Sequence, residues 1–174
     1  MARCGDMKIR KLEQKDAEYM YEWMHSDDVV EYLAQNFSEK TLQDCIAFIL
    51  EANEDETENL HRAICDDRDE YLGTVSLKHI DLKNKNAEYA ISMRSKAMGT
   101  GAAMYGTKEI LAYAFEKIHL SKVYLNVMPE NIRAKKFYQK VGFQYEGIFQ
   151  KHICVNGKLC DLEWYAMFND TEEM

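Results

Sequence analysis

The chain contains 174 residues, of which 47% are hydrophobic, and its formal net charge is −8 with a pI near 5.2. This length suffices for one well-filled core and is too short for two typical domains. Because nucleic-acid binders usually present a basic face, the acidic balance and the lack of a basic run argue against a nucleic-acid partner. No apolar run approaches the roughly 20 residues that a membrane-spanning helix needs, and the start of the chain lacks the apolar core of a signal peptide. We therefore predict a cytoplasmic protein with no membrane partner.

The cysteines and histidines are too scattered for a metal site. None of the five cysteines belongs to a Cys-x-x-Cys pair, and no two of the five histidines share metal-ligand spacing on one helix. We predict reduced thiols, most of them buried as small hydrophobic side chains, and no bound metal.

The first half of the chain predicts one strand, two helices and two further strands. Residues 7–12 predict the first strand, and a stripe at Ala17, Met20, Tyr21 and Met24 predicts a helix from Ala17. Ser38 is expected to cap the second helix, whose inner face would consist of Leu42, Cys45, Ile46, Ile49 and Leu50. The segments HRAICDD and YLGTVSLKHIDL predict two strands joined by a tight turn. We place a single domain at residues 7–170, with residues 1–6 and 171–174 as flexible ends.

Two acidic segments lie beside the first of these two strands. Residues 51–59 are rich in Glu and Asp and contain no basic residue, and residues 66–70 place four acidic residues around Arg68. A solvated loop and a hairpin turn account for both segments. Electrostatic attraction of an amine substrate is the functional alternative.

The most informative stretch runs from Ala87 to Val141. It predicts a strand (AEYAISM), a glycine-bearing loop (RSKAMGTGAA), a helix (MYGTKEILAYAFEKI), a second strand (KVYLNVMP) and a second helix (NIRAKKFYQKVG). The first helix has a stripe typical of packing on one face, formed by Ala103, Gly106, Ile110, Leu111, Ala114, Phe115 and Ile118. The unpaired N–H groups of a first helical turn can hold an anion, and Gly99 and Gly101 would let it approach the backbone. A plain tight turn would need the same two glycines.

The end of the chain predicts a helix and a hairpin. The inner stripe of the helix is expected at Ala134, Phe137, Tyr138 and Val141, with Gly142 as its left-handed C-cap. Asn156-Gly157 is a strong signal for a two-residue hairpin turn between the last two strands. This register places Cys154 opposite Leu159 and Cys160 opposite Ile153, so we expect the two thiols on opposite faces, without a disulfide.

Seven residues in this region form a specific pattern. Leu125, Val127 and Asn131 follow the spacing Leu-x-Val-x-x-x-Asn, and Phe137, Tyr138, Gly142 and Phe143 add an aromatic-Tyr pair and a Gly-Phe pair. On this pattern the segment from Tyr89 to Phe143 resembles the GNAT superfamily of acyl-CoA N-acetyltransferases. The resemblance implies an α/β (α+β) fold with a single GNAT-like domain and a mixed central sheet of about seven strands. It further implies helices on both faces of the sheet, a splayed parallel strand pair at the cofactor site and a C-terminal β-hairpin.

The resemblance implies acetyl-CoA as the acyl donor. In this family the pantetheine arm pairs with a strand edge, and a glycine loop holds the pyrophosphate through its N–H groups. By that resemblance, the backbone of Ile91, Ser92 and Met93 would bond the pantetheine, and Asn131 would contact the cofactor while also capping a helix. The pyrophosphate loop would consist of Met98, Gly99, Thr100, Gly101, Ala102, Ala103 and Met104.

Met98 departs from the family pattern, which prefers Arg or Gln at this position. A methionine cannot hydrogen-bond a phosphate as those side chains do, so the affinity for the cofactor is open. An alternative register, with Gly99 and Gly101 in the two glycine positions, assigns the same role to Lys96. The spacing to the helix favours Met98, and the backbone cradle is present in both registers.

Tyr138 and Glu88 are the candidates for proton transfer. Tyr138 matches the tyrosine that usually protonates the departing thiolate in this family, and Glu88 matches a position where many members have a glutamate base. A core role is the alternative for Tyr138. For Glu88, which shares a strand face with Ala90 and Ser92, the alternative is an exposed strand carboxylate.

The resemblance thus implies an N-acetyltransferase that moves an acetyl group from acetyl-CoA to a primary amine by direct attack through a tetrahedral intermediate. The acceptor would be a small-molecule amine or a peptide N-terminus, and a protein N-terminus, a polyamine, an antibiotic and an amino sugar are all open. Trp23, Tyr32 and Phe37 are candidate walls of the acceptor pocket, or ordinary core residues. A non-catalytic acyl-CoA-binding or scaffold protein is the alternative function, and a homodimer is also open.

Overall fold

The computed structural model describes residues 7–171. The strands are β1 (Lys8–Arg10), β2 (Leu60–Cys65), β3 (Tyr71–Asp81), β4 (Asn86–Met93), β5 (Lys122–Val127), β6 (Gln144–Val155) and β7 (Lys158–Phe168). The helices are α1 (Ala17–Met24), α2 (Asp27–Val30), α3 (Leu42–Glu54), α4 (Ala102–Ala112) and α5 (Ile132–Val141), and α4 continues as a π-helical turn over Tyr113–Lys117. Of the ends predicted to be flexible, residues 1–6 and 172–174 lie outside the described residues, and Thr171 is an exposed turn residue.

All seven strands form one mixed sheet in the order β1-β2-β3-β4-β5-β7-β6. Only β4 and β5 pair in parallel, and every other neighbouring pair is antiparallel. Parallel pairing requires a crossover connection, and α4 provides it between β4 and β5. The predicted seven-stranded mixed sheet is therefore confirmed.

Each face of the sheet is covered by its own helices. On one face, α4 and the π-helical turn that continues it bury Ile110 and Ala114 against strand residues such as Val75 and Leu77. On the other face, α1 and α3 bury a second cluster that includes Met20, Trp23, Cys45, Ile49 and Tyr71. Neighbouring residues of β2 alternate between the faces, since Ile64 belongs to the first cluster while Ala63 and Cys65 belong to the second. Helices on both faces are thus confirmed.

The C-terminal hairpin has the predicted register. Cys154 pairs with Leu159, and Ile153 pairs with Cys160 across the turn at Asn156 and Gly157. All four cysteines of the described segment are free. The hairpin joins the sheet through β7, which pairs with β5, and leaves β6 at the edge.

Two predictions about α3 are wrong. Thr41, not Ser38, caps the helix: its side chain accepts a hydrogen bond from the Asp44 N–H, and the Asp44 carboxylate accepts one from the Thr41 N–H in return. This reciprocal capping box between Thr41 and Asp44 determines where the helix begins, and Ser38 lies in the turn that precedes Thr41. Leu42 and Leu50 are exposed, and Cys45, Ile49 and Ala52 form the buried face instead.

Two further predictions need correction. The first strand covers only Lys8–Arg10 rather than residues 7–12. No residue of α5 is fully buried, and the predicted inner stripe, Ala134, Phe137, Tyr138 and Val141, is half-buried. Ala134, Tyr138 and Val141 pack against the core, and Ala134, Phe137 and Tyr138 also line a cleft that is described below. The predicted C-cap at Gly142 is confirmed, with φ at 119°.

Candidate active site

The parallel strands β4 and β5 separate along their length. They pair at three positions, from Asn86 with Lys122 to Glu88 with Tyr124, and then diverge. The far part of β4 stays paired with β3 as far as Met93, so only its β5-facing edge is unoccupied by strand. Unpaired strand edges present N–H and C=O groups to any extended ligand. The predicted splayed pair is confirmed, and it leaves the β5-facing edge of Ile91 to Met93 without a strand partner.

A cleft of about 230 Å³ lies at this opening. Eight of the thirteen predicted site residues line it: Ile91, Ser92, Met93, Met98, Gly99, Ala103, Asn131 and Tyr138. Thr100, Gly101, Ala102 and Met104 belong to the adjoining loop and helix end without lining the cleft, and Glu88 lies apart from it. We call this space the cofactor cleft. Met98 lines it, whereas Lys96 is exposed and forms an ion pair with Glu70 outside it.

The loop before α4 is shaped to present N–H groups. Gly99 and Gly101 have φ values of 76° and 88°, in the left-handed region that favours glycine, and Gly101 is the N-cap of α4. The Met98 and Thr100 N–H groups donate to backbone carbonyls. Within residues 7–171, the N–H groups of Gly99, Gly101, Ala103 and Met104 have no acceptor. Such a run of free donors at a helix N-terminus suits a phosphate.

Helix α5 closes the other side of the cleft. The Asn131 side-chain oxygen accepts from the Ala134 N–H at 3.2 Å, which caps α5 and leaves the amide NH₂ available to a ligand. The Tyr138 hydroxyl has no partner among the described residues, and its ring packs at 6.0 Å, centroid to centroid, from both Tyr89 and Phe143. Burial raises the pKa of Tyr138 to about 12, so the phenol is protonated at neutral pH.

A second cavity, of about 240 Å³, lies between the sheet and the helices α1 and α3. Trp23 and Phe37 line it, as two of the three predicted walls, whereas Tyr32 is 41% exposed and does not. We call this space the acceptor cavity. It shares Ile91 and Ser92 with the cofactor cleft, so the two spaces meet at the far part of β4.

His61 and Ser76 form a polar pair on the floor of the acceptor cavity. The His61 Nδ1 atom lies 2.6 Å from the Ser76 hydroxyl oxygen, and its ring contacts that of Phe48 at 4.9 Å. Burial, aided by the charges of Lys78 and Arg62, lowers the pKa of His61 to about 4. This histidine is therefore neutral at physiological pH.

Glu88 shares a face of β4 with Ala90 and Ser92, which line the acceptor cavity, but Glu88 itself lies outside this cavity. Its carboxylate is paired with the Lys78 ammonium at 3.2 Å and accepts a hydrogen bond from the Asn126 amide at 3.2 Å. Lys78 lines the acceptor cavity, whereas Glu88 lines neither space. Any proton that Glu88 takes from a ligand must consequently pass through water.

Arg94 connects the end of β4 to the rest of the site. Its guanidinium donates twice to Glu22 of α1, at 3.0 and 2.9 Å, and also to Glu70 at 2.6 Å and to the Tyr71 carbonyl at 3.0 Å. It also lies 4.2 Å above the Tyr19 ring. These contacts fix α1, which walls the acceptor cavity, to the strand that leads into the loop before α4.

The two acidic segments are partly used in structural ion pairs. Asp69 contacts Lys8 and Arg10 at 2.8 Å each, Glu70 contacts Arg94, and Glu56 contacts Arg62 at 2.7 Å. Glu51, Asp55 and Glu58 line a separate hollow of about 300 Å³ beside α3, which we call the acidic hollow. In the described part of the chain, no group of three or more His, Cys, Asp or Glu side chains could hold a metal ion, and no helix could cross a membrane.

Comparison with known proteins identifies the family. The acetyltransferase (GNAT) domain family matches residues 6–144, most of the chain. The chain belongs to the GNAT acetyltransferase family. Similar sequences include the spermidine N(1)-acetyltransferase of Escherichia coli, 28% identical over 91% of this chain and 83% of that protein, and an uncharacterised N-acetyltransferase of Bacillus licheniformis, 24% identical over 92% of both. A solved structure of Vibrio cholerae spermidine N-acetyltransferase with CoA and spermine superposes with a TM-score of 0.84 at 21% identity, covering 95% of this chain and 96% of that one.

The resemblance found in the sequence, and with it the expectation of an N-acetyltransferase enzyme, is therefore confirmed. Sequence reasoning nevertheless missed parts of this acetyltransferase. Arg133 lines the cofactor cleft, and Phe48, His61 and Lys78 line the acceptor cavity. A basic residue two positions after the matched Asn131 was a usable signal for Arg133. No local pattern marks the other three, because α3, β2 and β3 meet only in the folded chain.

Proposed function

We propose that this GNAT acetyltransferase transfers the acetyl group of acetyl-CoA to a primary amine, with the reaction taking place beside Ile91 and Ser92. The observation that carries the proposal is the meeting of two separate spaces at these residues, one lined by residues predicted to bind the cofactor and one walled largely by apolar and aromatic side chains. The relatives named for spermidine acetylation support a small-molecule amine as the acceptor class. A peptide N-terminus, a homodimer and a cytoplasmic location stay predictions.

The donor would lie along the free edge of β4. The backbone of Ile91, Ser92 and Met93 would pair with the extended pantetheine, and the unpaired N–H groups of Gly99, Gly101, Ala103 and Met104 would face the pyrophosphate. Thr100 and Ala102 shape this loop, since the Thr100 hydroxyl accepts from the Ala102 N–H at 3.3 Å. Asn131 offers its free amide. Arg133 supplies the cation that Met98 cannot, because it lines the same cleft.

In the reaction, the amine nitrogen attacks the thioester carbonyl carbon. A C–N bond forms and the C–S bond breaks, the nitrogen loses a proton through water to Glu88, and the sulfur takes a proton from Tyr138. A backbone N–H at the free edge of β4 would stabilise the developing oxyanion. Every group in this scheme belongs to β4, the following loop or α5.

The raised pKa of Tyr138 makes it harder for its hydroxyl to donate a proton to the sulfur. With its pKa raised to about 12, Tyr138 is a weaker acid than a free phenol. Giving a proton to a free thiolate of pKa about 8.5 would then be uphill by about 5 kcal/mol. Tyr138 therefore gives up its proton at a higher cost than a free phenol would, and the resulting phenolate must be reprotonated before the next turnover.

The test measures CoA release and N-acetyl product formation with a panel of primary amines. We expect turnover, a loss of kcat of about 10²-fold in Tyr138→Phe, and an unchanged KM for acetyl-CoA. Glu88→Gln should lower kcat by about tenfold, since water can carry the proton elsewhere. Tight acetyl-CoA binding with no turnover for any amine would contradict the proposal and favour the non-catalytic alternative. An unchanged kcat in Glu88→Gln would exclude Glu88 as the base.

A further inference from the structure

The walls of the acceptor cavity are apolar and aromatic. Trp23, Phe37 and Phe48 provide three rings, and Met20 and Met24 add two thioethers. The Trp23 and Phe37 rings meet edge to face with centroids 5.2 Å apart, so this wall is preformed. Such a surface gains affinity by covering hydrocarbon and by contacting rings.

The described lining of this cavity has more cationic side chains than carboxylates, because two lysines and one aspartate belong to it. The aspartate is Asp44, whose carboxylate also accepts hydrogen bonds from the N–H and the hydroxyl of Thr41 as part of the α3 cap. Lys40 and Lys78 line the cavity as well, and Glu88 balances Lys78 from outside. The low pKa of His61 agrees with a site that disfavours positive charge.

The carboxylates of the acidic hollow do not balance a cation bound in the acceptor cavity. The acidic hollow shares Phe48 and His61 with the acceptor cavity, but these two rings are in contact, with centroids 4.9 Å apart, and stand between the two spaces. An acceptor in the cavity would have to separate this pair to place a second ammonium beside Glu51, Asp55 or Glu58. A polyamine chain bound in the cavity would therefore place its inner charges in a partly apolar space that has two lysines and one carboxylate.

From this lining we infer that the preferred acceptor is a monoamine with an apolar, aromatic-sized body, bound as the neutral amine, and that polyamines are poor acceptors. The inference rests on the proposed function and narrows its substrate class. It separates this chain from the relatives named for spermidine. The cavity volume of about 240 Å³ is below the roughly 300–1,000 Å³ typical of sites for drug-sized ligands, which also favours a small, single-ring acceptor.

The experiment compares 2-phenylethylamine with spermidine as acceptors at saturating acetyl-CoA. We expect kcat/KM for 2-phenylethylamine to exceed that for spermidine by about tenfold or more. Phe37→Ala should reduce kcat/KM for 2-phenylethylamine by about tenfold, and leave the KM for acetyl-CoA unchanged. Tyr21→Ala is the matched control, because Tyr21 is a 40% exposed ring of α1 that lines neither space. It should change neither value.

A second variant tests the charge argument without opening the core. Lys40 is an exposed residue at the cavity, so the Lys40→Glu variant should fold normally. It should raise kcat/KM for spermidine relative to kcat/KM for 2-phenylethylamine. The affinities of both amines for the CoA complex are measured separately by calorimetry. If no amine is acetylated, the proposed function fails, while the order of affinities still decides this inference. Acetylation with spermidine preferred in rate and affinity would overturn the inference and leave the proposed function intact.

Discussion

Replacing Arg94 with methionine tests how the site is held together. The Arg94 side chain is 6% exposed, while its partners Glu22 and Glu70 are 50% and 31% exposed, so solvent screens both ion pairs. Each pair then contributes about 0.5–1 kcal/mol. The Tyr71 carbonyl, left without its donor, costs about 1–3 kcal/mol, and the lost contact with the Tyr19 ring costs about 0.5–1 kcal/mol.

Methionine recovers about 1 kcal/mol of packing, so we expect Arg94→Met to lower the free energy of unfolding by about 3 kcal/mol at neutral pH. Urea denaturation followed by tryptophan fluorescence measures this value. The KM for acetyl-CoA should rise as well, because Arg94 immediately precedes the loop that faces the cofactor cleft. Arg68→Met is the control, since Arg68 is exposed and makes no side-chain contact within the described residues, and it should shift stability by less than about 0.5 kcal/mol.

The pH dependence of the stability loss in Arg94→Met tests the contribution of the ion pairs. Hydrogen bonds from Lys96 and then Arg94 lower the pKa of Glu70 in the folded protein. A carboxyl with a depressed pKa stabilises the fold above its unfolded pKa of about 4.3, and this stability is lost as the pH falls through the folded value. The stability difference between wild type and Arg94→Met should therefore narrow below about pH 4. A loss of unfolding free energy smaller than about 1 kcal/mol in Arg94→Met at neutral pH would refute this account. A difference in unfolding free energy between wild type and Arg94→Met that does not vary with pH would also refute it.

Two further variants probe the core and the cofactor cleft. In Gly106→Ala the new Cβ would lie 2.3 Å from Ile64 Cδ1 and 2.6 Å from Cγ1, so an overpacking cost of about 1–3 kcal/mol outweighs a helix-propensity gain of about 1 kcal/mol. Urea denaturation should show a loss of unfolding free energy in Gly106→Ala. Adding Ile64→Val, which removes Cδ1, should partly restore it, and strictly additive effects of the two substitutions on stability would contradict the contact. Arg133→Gln should raise the KM for acetyl-CoA by about fivefold and weaken its salt dependence. The control Lys136→Gln, an exposed change on the same helix outside the cleft, should do neither, and equal effects of both would exclude a specific role for Arg133.

Local patterns predicted much of the sheet because its strands have clear boundaries. The hairpin register followed from Asn156-Gly157 alone, and the order of strand, loop, helix and strand around Gly99 was readable from periodicity. The α3 cap was predictable in principle, since Thr41 has an acidic residue three positions later and Ser38 does not. The four-residue helix α2 gives too short a pattern to detect.

The site was harder to predict where periodicity and function compete. The stripe on α5 has the spacing of a buried face and packs against the core, yet its residues are only half-buried, and Phe137 and Tyr138 also line the cofactor cleft. An apolar stripe cannot distinguish a core from a ligand cleft, since both exclude water. The acceptor cavity draws on α1, α3, β2, β3 and β4, and only the long-range pairing of the sheet brings these together.

The apolar acceptor cavity also bears on how the amine loses its charge. Under the proposed function, a cavity that disfavours cations lowers the pKa of a bound ammonium, so the neutral amine enters, and the proposed water-linked base, Glu88, has only to remove the proton that the nitrogen loses after its attack. The rise of kcat/KM with pH should then follow the acceptor's own pKa. With benzylamine, a weaker base than 2-phenylethylamine and of similar size, the midpoint should move to lower pH. A midpoint common to both amines would mean that an enzyme group controls deprotonation, and the desolvation argument would be wrong.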